Sequence, residues 1–433
     1  MKHRLSIASL LVAVAALCLN GCTTPSSTPT ASQNTGKPDS LIMLVTSSPS
    51  ATGLKALADT YKAETGITIN FVEVPSAQLA TKIILAKQSG QSTFDMAQLD
   101  GFNLPQVVAT GAFLGLDDYL AKDKDYDYAD FAQGLKNYAM MNGVSYGLPL
   151  STEPYVQWYR TDLFEARGLK PATTWAELET NAQAFTGTGE YGFAGVYGPG
   201  SATYYYSEML HASGGRLLDP DTYEPLLDRP WAKTVMERYL SYIKISPASS
   251  VSGASIDAVN AFSQMEIGQM ITATGWFSSL NDPAKSNAAG HLATAATPMS
   301  KDGPYEPASS LYGWLAGISS VSPNQDAAWD FLSWALGKSN VQAFIDVGAP
   351  PPGRTSTVTN PTFIEQLPYL PSVGDAVENG VPLPRIPEMG QIVSILSQDI
   401  NAMASGQLTV DEGLEKAQND LLNILVQSGR YKG

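Results

Sequence analysis

Apolar positions recur along the chain in two ways, as short continuous runs and at helical spacing. The first run, residues 41–45, predicts a buried strand, and the apolar positions of 54–61 then repeat as in an amphipathic helix that ends at Gly66. Further strands are predicted at residues 67–71, 94–99 and 144–150, and further helices at 79–88 and from 101 to about 111. This order predicts a doubly wound α/β sheet, whose ligands bind beyond the carboxyl ends of the strands.

The second half of the chain carries the same two patterns. Helices are predicted at residues 174–187, 204–212, 230–244, 256–265, 323–336, 391–403 and 410–427. Capping boxes are expected to open three of them, at Thr174 with Glu177, Ser322 with Gln325, and Thr409 with Glu412. Strands are predicted at residues 191–196, 270–274, 291–296 and 312–319, the last two as a pair. No repeat with a period of about 20 to 50 residues is visible, which excludes a solenoid.

The N-terminus has the pattern of an export signal. Two basic residues precede an apolar run, residues 5–19, that is too short to remain as a membrane span. The run leads into Leu19-Asn20-Gly21-Cys22, which resembles the lipobox of bacterial lipoproteins, where cleavage leaves an acylated N-terminal cysteine. We therefore predict a signal peptide at residues 1–21, lipidation of Cys22 and an extracytoplasmic, membrane-anchored protein. The alternative is an ordinary signal peptide with a chance cysteine at its end.

A tether and a large folded part are expected after the signal. Residues 22–38 are rich in Ser, Thr and Pro and hold no large apolar side chain, so they are predicted to form a flexible tether. The folded part is predicted to begin near Asp39. Its length of about 395 residues exceeds what one hydrophobic core usually holds, so two lobes are expected.

Composition excludes several classes of function. Cys18 and Cys22 are the only cysteines, so the mature protein is expected to have no disulfide and no thiolate metal site. Loss of the signal leaves 24 basic residues against 41 acidic ones, a charge of −17, which argues against binding of nucleic acid or anionic lipid by the folded part. The three histidines, His3, His211 and His291, are isolated, so no histidine metal site or catalytic triad is indicated.

Several short phrases, in one order, resemble a known family. They are ETGITI at 64–69, GAFLGLD at 111–117, SYGLPL at 145–150, WYRTDLF at 158–164, GLKP at 168–171 with TW at 174–175, GGRL at 214–217, TGW at 274–276, AAWDFL at 327–332 and GR at 353–354. Together they resemble the extracellular solute-binding proteins of family 1, which serve ABC importers of the carbohydrate-uptake class. The resemblance runs from about residue 41 to 431.

The resemblance implies an α/β, two-lobed periplasmic-binding-protein-like fold, with a ligand cleft between the lobes. The chain is expected to cross between them near residues 148–152, 314–318 and 347–353. The N-terminal lobe would hold residues 39–150 and 317–347, and the C-terminal lobe 151–316 and 348–433. The implied partners are a carbohydrate or polyol ligand and the transmembrane subunits of an ABC permease. No cofactor or metal is implied, and a monomer is expected.

Hydroxyl-rich ligands need planar acceptors, forked donors and aromatic surfaces, which together suggest the candidate site residues. Asp100, Glu153 and Arg354 are the polar candidates. Asp100 is alternatively a turn residue before Gly101, and Glu153 a solvated charge at the hinge. Arg354 alternatively forms a salt bridge between the lobes.

The aromatic candidates are led by Trp276, which follows an apolar strand and is alternatively a core tryptophan. Tyr155, Tyr312 and Trp314 lie at the expected crossings. At most one or two of the tyrosines in 204–206 can face a cleft, and packing in the core is the favoured interpretation of this triplet. The weaker candidates, also at strand ends, are Thr46, Ser47, Glu73 and Gln98.

Two other functions stay open at this point. A secreted glycoside hydrolase or lyase would share the compartment, the aromatic residues and the acids, and a catalytic carboxylate pair could be present among so many acids. A receptor of similar architecture for a peptide, a metal chelate or an anion is the other alternative. Among receptors of the carbohydrate-uptake class, residues 383–388 and 349–354 most resemble the segments found in receptors for polyols or small oligosaccharides.

Overall fold

The computed structural model describes residues 37–187 and 191–432, so the predicted signal, the lipidation of Cys22 and nearly all of the tether lie outside the described residues. The strands are β1 (Ser40–Val45), β2 (Thr68–Glu73), β3 (Met96–Asp100), β4 (Met140–Met141), β5 (Val144–Ser145), β6 (Leu148–Thr152), β7 (Tyr155–Arg160), β8 (Gln269–Ala273), β9 (Leu292–Ala295) and β10 (Gly313–Ile318).

Five of these strands form the first sheet, in the order β2-β1-β3-β10-β6. β1 pairs in parallel with β2 and with β3, which confirms the predicted βαβ start. β10 runs antiparallel to β3 and to β6, between which it lies. The chain therefore leaves this sheet after β6, at Thr152, and returns to it about 160 residues later as β10, which begins at Gly313.

The second sheet is antiparallel and has the order β8-β7-β9. Its central strand, β7, begins only two residues after β6 ends, so Glu153 and Pro154 link the two sheets directly. The strands predicted at 291–296 and 312–319 both exist, but they do not pair, because β9 joins β7 and β10 joins the first sheet.

Helices cover the sheets. They are α1 (Pro49–Thr65), α2 (Ser76–Ser89), α3 (Leu104–Ala109), α4 (Asp117–Lys122), α5 (Gln133–Tyr138), α6 (Thr161–Arg167), α7 (Trp175–Phe185), α8 (Ala202–Ala212), α9 (Pro230–Ser241), α10 (Ser255–Ser263), α11 (Phe277–Leu280), α12 (Gln325–Ala335), α13 (Val341–Asp346), α14 (Thr355–Val358), α15 (Pro361–Gln366), α16 (Leu370–Asn379), α17 (Met389–Ala404) and α18 (Val410–Gln427). None of the helices in the described part of the chain combines the length and the apolar character that crossing a bilayer requires.

Local signals explain most of the helix ends. The capping boxes at Thr174 with Glu177 and at Thr409 with Glu412 are both formed. The box predicted at Ser322 is wrong: α12 begins after Asn324, and the Ser322 hydroxyl donates a hydrogen bond to Asp95 at 2.6 Å. Residues 191–196 make only isolated bridges to the segment before β8 and to β8 itself, so the strand predicted there is also wrong.

Each sheet has its own hydrophobic core. Both faces of the first sheet are covered, since Leu41, Met43 and Val45 enter one buried cluster while Leu44 enters another. This explains why residues 41–45 are continuously apolar rather than alternating. A third buried cluster surrounds the second sheet, with Trp158 of β7 among its fully buried side chains. The predicted α/β, two-lobed architecture is thus present.

Candidate functional site

A cavity of about 270 Å³ lies where the first sheet meets elements of the second lobe. We call it the inner cavity. Its first-sheet side is formed by the end of β3, the start of β10 and the residue after β6, and the opposite side by the starts of β7, α8 and α10. It is lined by Ser76, Asp100, Phe102, Tyr138, Glu153, Tyr155, Ser201, Tyr204, Ser255, Ala273, Tyr312, Gly313 and Trp314.

Strand register brings the acidic residues and Trp314 together. Asp100 is the last residue of β3 and stands opposite Trp314, which in turn stands opposite Ser151 of β6. The backbone N–H of Glu153 donates to the carbonyl oxygen of Tyr312 at 3.1 Å, which continues this pairing past the end of β6. Residues far apart in sequence therefore share one edge of the sheet, as expected for a site at strand ends.

Asp100 is a buried carboxyl whose hydrogen bonds come from one neighbour. Its Oδ1 accepts from the backbone N–H of Asn103 at 2.9 Å, and its Oδ2 accepts from the Asn103 side-chain amide at 2.8 Å. Burial disfavours the charged form and raises the pKa of Asp100 to about 6, although the bonds from Asn103 act in the opposite direction. The residue is thus both the predicted turn residue and part of the cavity wall.

Glu153 is the second acid of the inner cavity. Its Oε1 accepts a hydrogen bond from the Ser151 hydroxyl at 2.9 Å. Burial raises the pKa of Glu153 to about 7, and the bond from Ser151 opposes this shift only in part. Its Oε2 lies so close to Gly275 that a Cβ atom at that position would be 2.6 Å from it. Gly275 therefore leaves the space that the carboxyl group occupies.

Aromatic rings form a continuous part of the wall. The rings of Tyr155 and Tyr312 have centroids 4.8 Å apart, and Tyr312 meets Tyr204 edge-on at 5.9 Å. Tyr204 continues to Phe102 at 5.6 Å. The Tyr312 hydroxyl donates to the carbonyl oxygen of Tyr204 at 3.1 Å, which fixes the orientation of its ring. Such a wall offers flat apolar surfaces beside the two acids.

Five predicted site residues line the inner cavity together: Asp100, Glu153, Tyr155, Tyr312 and Trp314. The sequence interpretation missed Ser76, Phe102, Tyr138, Ser201 and Ser255, and it favoured the core for Tyr204. Phe102 could have been found, because it lies two residues beyond a strand end. No local signal marks Tyr138 or Ser255, which reach the cavity only through the packing of α5 and α10.

The weaker strand-end candidates lie outside the inner cavity. Gln98 is fully buried and occupied: its Oε1 accepts from the backbone N–H of Thr46 at 3.1 Å, and its Nε2 donates to the hydroxyls of Ser48 and Ser50. Glu73 is exposed and pairs with Lys55. Ser47 is also exposed, with its side chain away from the cavity lining.

Trp276 is not part of the lining either. Its side chain is half-buried against the core of the second lobe, which is the alternative that the sequence left open. Its neighbour Gly275, which is close to Glu153, is the nearest link between this turn and the acids of the cavity.

Arg354 requires the clearest correction. Its side chain is 0% exposed, so no surface is left for a ligand. The guanidinium donates to the carbonyl oxygens of Leu336, Tyr126 and Asp127 at 2.9 to 3.1 Å, and it stacks over the rings of Tyr126 and Phe131. The oxygens of Leu336 and Tyr126 have no other donor among the described residues, so these bonds hold the side chain in the interior.

A larger cavity of about 820 Å³ adjoins the inner one, and we call it the outer cavity. The two share Ser76, Phe102 and Tyr204. The outer cavity runs between the starts of α2 and α3 on one side and the start of α17 on the other, where Gln391 and Gly390 line it. The two cavities therefore form one cleft. Among the described residues, no cluster of three or more potential metal ligands is present.

The raised pKa values predict how stability depends on pH. Ordinary values of 3.8 for Asp100 and 4.5 for Glu153 rise to about 6 and about 7 on folding, so the folded state holds these protons more tightly. The free energy of unfolding is expected to be highest below about pH 4 as far as these groups contribute, and to fall as pH rises towards about 7. Urea unfolding across this range should show a smaller loss for the Asp100→Asn/Glu153→Gln double variant than for the wild type. Equal losses would contradict the prediction.

Comparison with known proteins gives a consistent result. The sequence model of the family described as "Bacterial extracellular solute-binding protein" matches residues 46–342. A Sinorhizobium fredii protein named "Probable amino-acid ABC transporter periplasmic-binding protein" is 24% identical over 85% of each chain. The mannitol-binding protein of Pseudomonas aeruginosa is 24% identical over 80% of this chain and 84% of its own. A solute-binding protein of an Agrobacterium radiobacter ABC transporter, solved with ribitol, is 25% identical and superposes with a TM-score of 0.81 over 90% of this chain and 99% of its own.

Proposed function

The chain belongs to the bacterial extracellular solute-binding proteins, and from this we propose that it is the receptor of an ABC importer for a sugar, a polyol or a small oligosaccharide. The observation that carries the proposal is the inner cavity, where two carboxyl groups adjoin a wall of aromatic rings. Carboxylates accept hydrogen bonds from ligand hydroxyls, and rings pack against C–H faces. The ribitol and mannitol named for two similar proteins are molecules of this kind.

Capture by hinge closure follows from where the lining residues lie. Asp100 and Trp314 belong to the first sheet, whereas Tyr155, Tyr204 and Ser255 belong to the other side of the cleft. A ligand that touches both sides favours the closed state over the open one. We propose lobe bounds close to those expected from the sequence, with β6 and β10 kept whole in the N-terminal lobe: residues 39–152 and 313–347 for the N-terminal lobe, and 155–312 and 348–433 for the C-terminal lobe. Glu153 and Pro154 then form the first link between the lobes.

The protein acts outside the cytoplasm, as its family does. We propose that a lipid on Cys22 holds it to the cell membrane, with residues 22–38 as a tether. The closed form would then present both lobes to the transmembrane subunits of the permease as a monomer. The similar proteins are transport receptors, which supports ligand binding without turnover over the alternative of a glycoside hydrolase or lyase.

A thermal unfolding screen tests the proposed function. A ligand that binds only the folded protein raises the unfolding temperature by mass action. We expect one or more of a panel of monosaccharides, sugar alcohols and oligosaccharides of two to four units to do so, and chromatography to recover that ligand unchanged. Peptides and inorganic anions serve as the comparison set. Stabilisation by these alone would refute the proposal, and consumption of an oligosaccharide would show an enzyme.

A further inference from the structure

The inner cavity has an uncompensated acidic lining. Asp100 and Glu153 line it, and no Lys, Arg or His is among its lining residues. Neither acid forms a salt bridge within the described residues. Some buried or half-buried acids elsewhere in the described chain have cationic partners, as Asp399 does with Lys416 at 2.7 Å and Asp302 with Arg238 at 2.7 Å. Asp95 and Glu208 are also buried, and they accept hydrogen bonds from the uncharged donors of Ser322 and Ser310. The two acids of the inner cavity therefore have no cationic side chain of the protein beside them in the lining.

We propose that the ligand carries a protonated amine, as in an amino sugar or an amino polyol, and that its ammonium group pairs with Glu153 while its hydroxyls donate to Asp100. This inference rests on the proposed function, because it names the charge class of the ligand for the same site. A buried carboxylate without a cation is costly, and a ligand cation that fills the vacant partner position recovers that cost.

The hydrogen bonds assign the two acids to different roles. Both oxygens of Asp100 already accept a hydrogen bond from Asn103. We therefore assign Asp100 to the uncharged hydroxyl donors of the ligand. Glu153 has one oxygen bonded to Ser151, and no described residue donates a hydrogen bond to its Oε2. That oxygen, which accepts no hydrogen bond from a described residue, is the better position for an ammonium group.

The aromatic wall fits a cation as well. Ring faces attract an ammonium group through their negative quadrupole, and tyrosine and tryptophan do so more strongly than aliphatic side chains. Tyr155 and Tyr312 line the same cavity as Glu153, and the carbonyl oxygen of Tyr312 accepts the backbone N–H of Glu153. A neutral sugar would use the stacking surface but not the charge.

The size of the ligand follows from strand spacing. Asp100 and Ser151 flank Trp314 in register, so their backbones are separated by two strand spacings, about 10 Å. A chain or ring of about six carbons, with an amine at one end and hydroxyls at the other, can contact both acids across Trp314. The inner cavity volume of about 270 Å³ is of the same scale.

The test compares matched ligand pairs by titration calorimetry on the purified protein, at a pH above both carboxyl pKa values. The pairs are 1-amino-1-deoxysorbitol with sorbitol, and glucosamine with glucose. At least one amine is expected to bind roughly tenfold or more tightly than its neutral partner. Glu153→Gln should abolish that preference. Glu306→Gln, which removes the same charge from an exposed site, should leave it unchanged.

The pH dependence of the wild type provides a readout that needs no variant. Ser151 and Tyr369 are the groups nearest to the Glu153 carboxyl. Tyr155, Tyr312 and Asp100 line the same cavity, and Glu208 interacts with Tyr155 and Tyr312. Burial raises the pKa of all three tyrosines, so only the carboxyls titrate near neutrality. Affinity for the amine should rise with pH, by up to about tenfold per unit below 7, whereas affinity for sorbitol should not.

The outcomes separate the two proposals. If sorbitol or glucose binds and neither amine binds more tightly than its neutral partner, the ammonium inference is wrong while the receptor function stands. The same holds if Glu153→Gln retains the amine preference in a protein that still unfolds cooperatively. If neither these ligands nor any sugar in the thermal screen binds, both proposals fail together.

Discussion

Replacement of Arg354 by methionine is expected to lower the free energy of unfolding by about 3 to 5 kcal/mol. The guanidinium is completely buried and bonds to the carbonyl oxygens of three residues, so its removal takes away a donor from each of them. The oxygen of Asp127 keeps the backbone N–H of Asp130, whereas those of Leu336 and Tyr126 have no other donor among the described residues. The replacement also removes the partner that lies 3.5 Å from Asp130. Arg354→Lys should recover only part of the loss, because an ammonium group cannot reproduce the planar arrangement of donors.

Urea unfolding at neutral pH measures this effect. Arg229→Met is the matched control, since the Arg229 side chain is 38% exposed and pairs with Glu224 at the surface, where a change below about 1 kcal/mol is expected. Similar losses in the two variants would show that burial of Arg354 does not determine its contribution. Ligand affinity of Arg354→Met, measured where the variant is folded, should stay near the wild-type value.

Replacement of Trp314 by alanine is expected to weaken ligand binding by about 2 kcal/mol, or roughly thirtyfold in Kd. Trp314 stands between the strands that carry Asp100 and Ser151, so its side chain supplies the central apolar surface of the inner cavity. The truncation removes that surface and admits water beside both acids.

Trp276→Ala is the control for this second effect. It removes the same side chain from a half-buried position that does not line the cavity, so its effect on Kd should stay below about threefold. Titration calorimetry with the ligand found in the screen compares the two variants, and unfolding curves show whether each is folded. A larger loss of affinity in Trp276→Ala than in Trp314→Ala would show that the stacking surface lies at the turn after β8.

Much of the fold could be predicted from sequence because its signals are local. Residues 41–45 are continuously apolar because both faces of β1 are covered, and Gly66 ends α1 with a φ of 82°, a conformation that favours glycine. The resemblance implied a crossing back to the first lobe near residues 314–318, but the position of β10 between β3 and β6 was not predicted. It depends on pairing between segments more than 160 residues apart, which no window of sequence records.

The site was predictable only where its residues lie at strand ends. Asp100 and Glu153 follow this rule. Gln98 lies two residues before the end of β3, and its side-chain amide is hydrogen-bonded to Thr46, Ser48 and Ser50. The proline-rich loop before Arg354 limits the backbone but does not say which way the next side chain points. In the structure it points inward, because carbonyl oxygens from two other segments need donors there.

In the proposed closure, the two-residue link between β6 and β7 is expected to determine how far each part of the cleft moves. In a rotation about Glu153 and Pro154, displacement grows with distance from the link, so the adjacent residues of the inner cavity barely shift. Residues that line only the outer cavity, such as Gln106 and Gln391, are expected to travel furthest. An arriving ligand therefore meets a nearly finished surface, and the association rate should depend little on closure. The residence time of the ligand should then depend on the outer cavity, where closure would bring residues such as Gln106 and Gln391 together and opening would separate them.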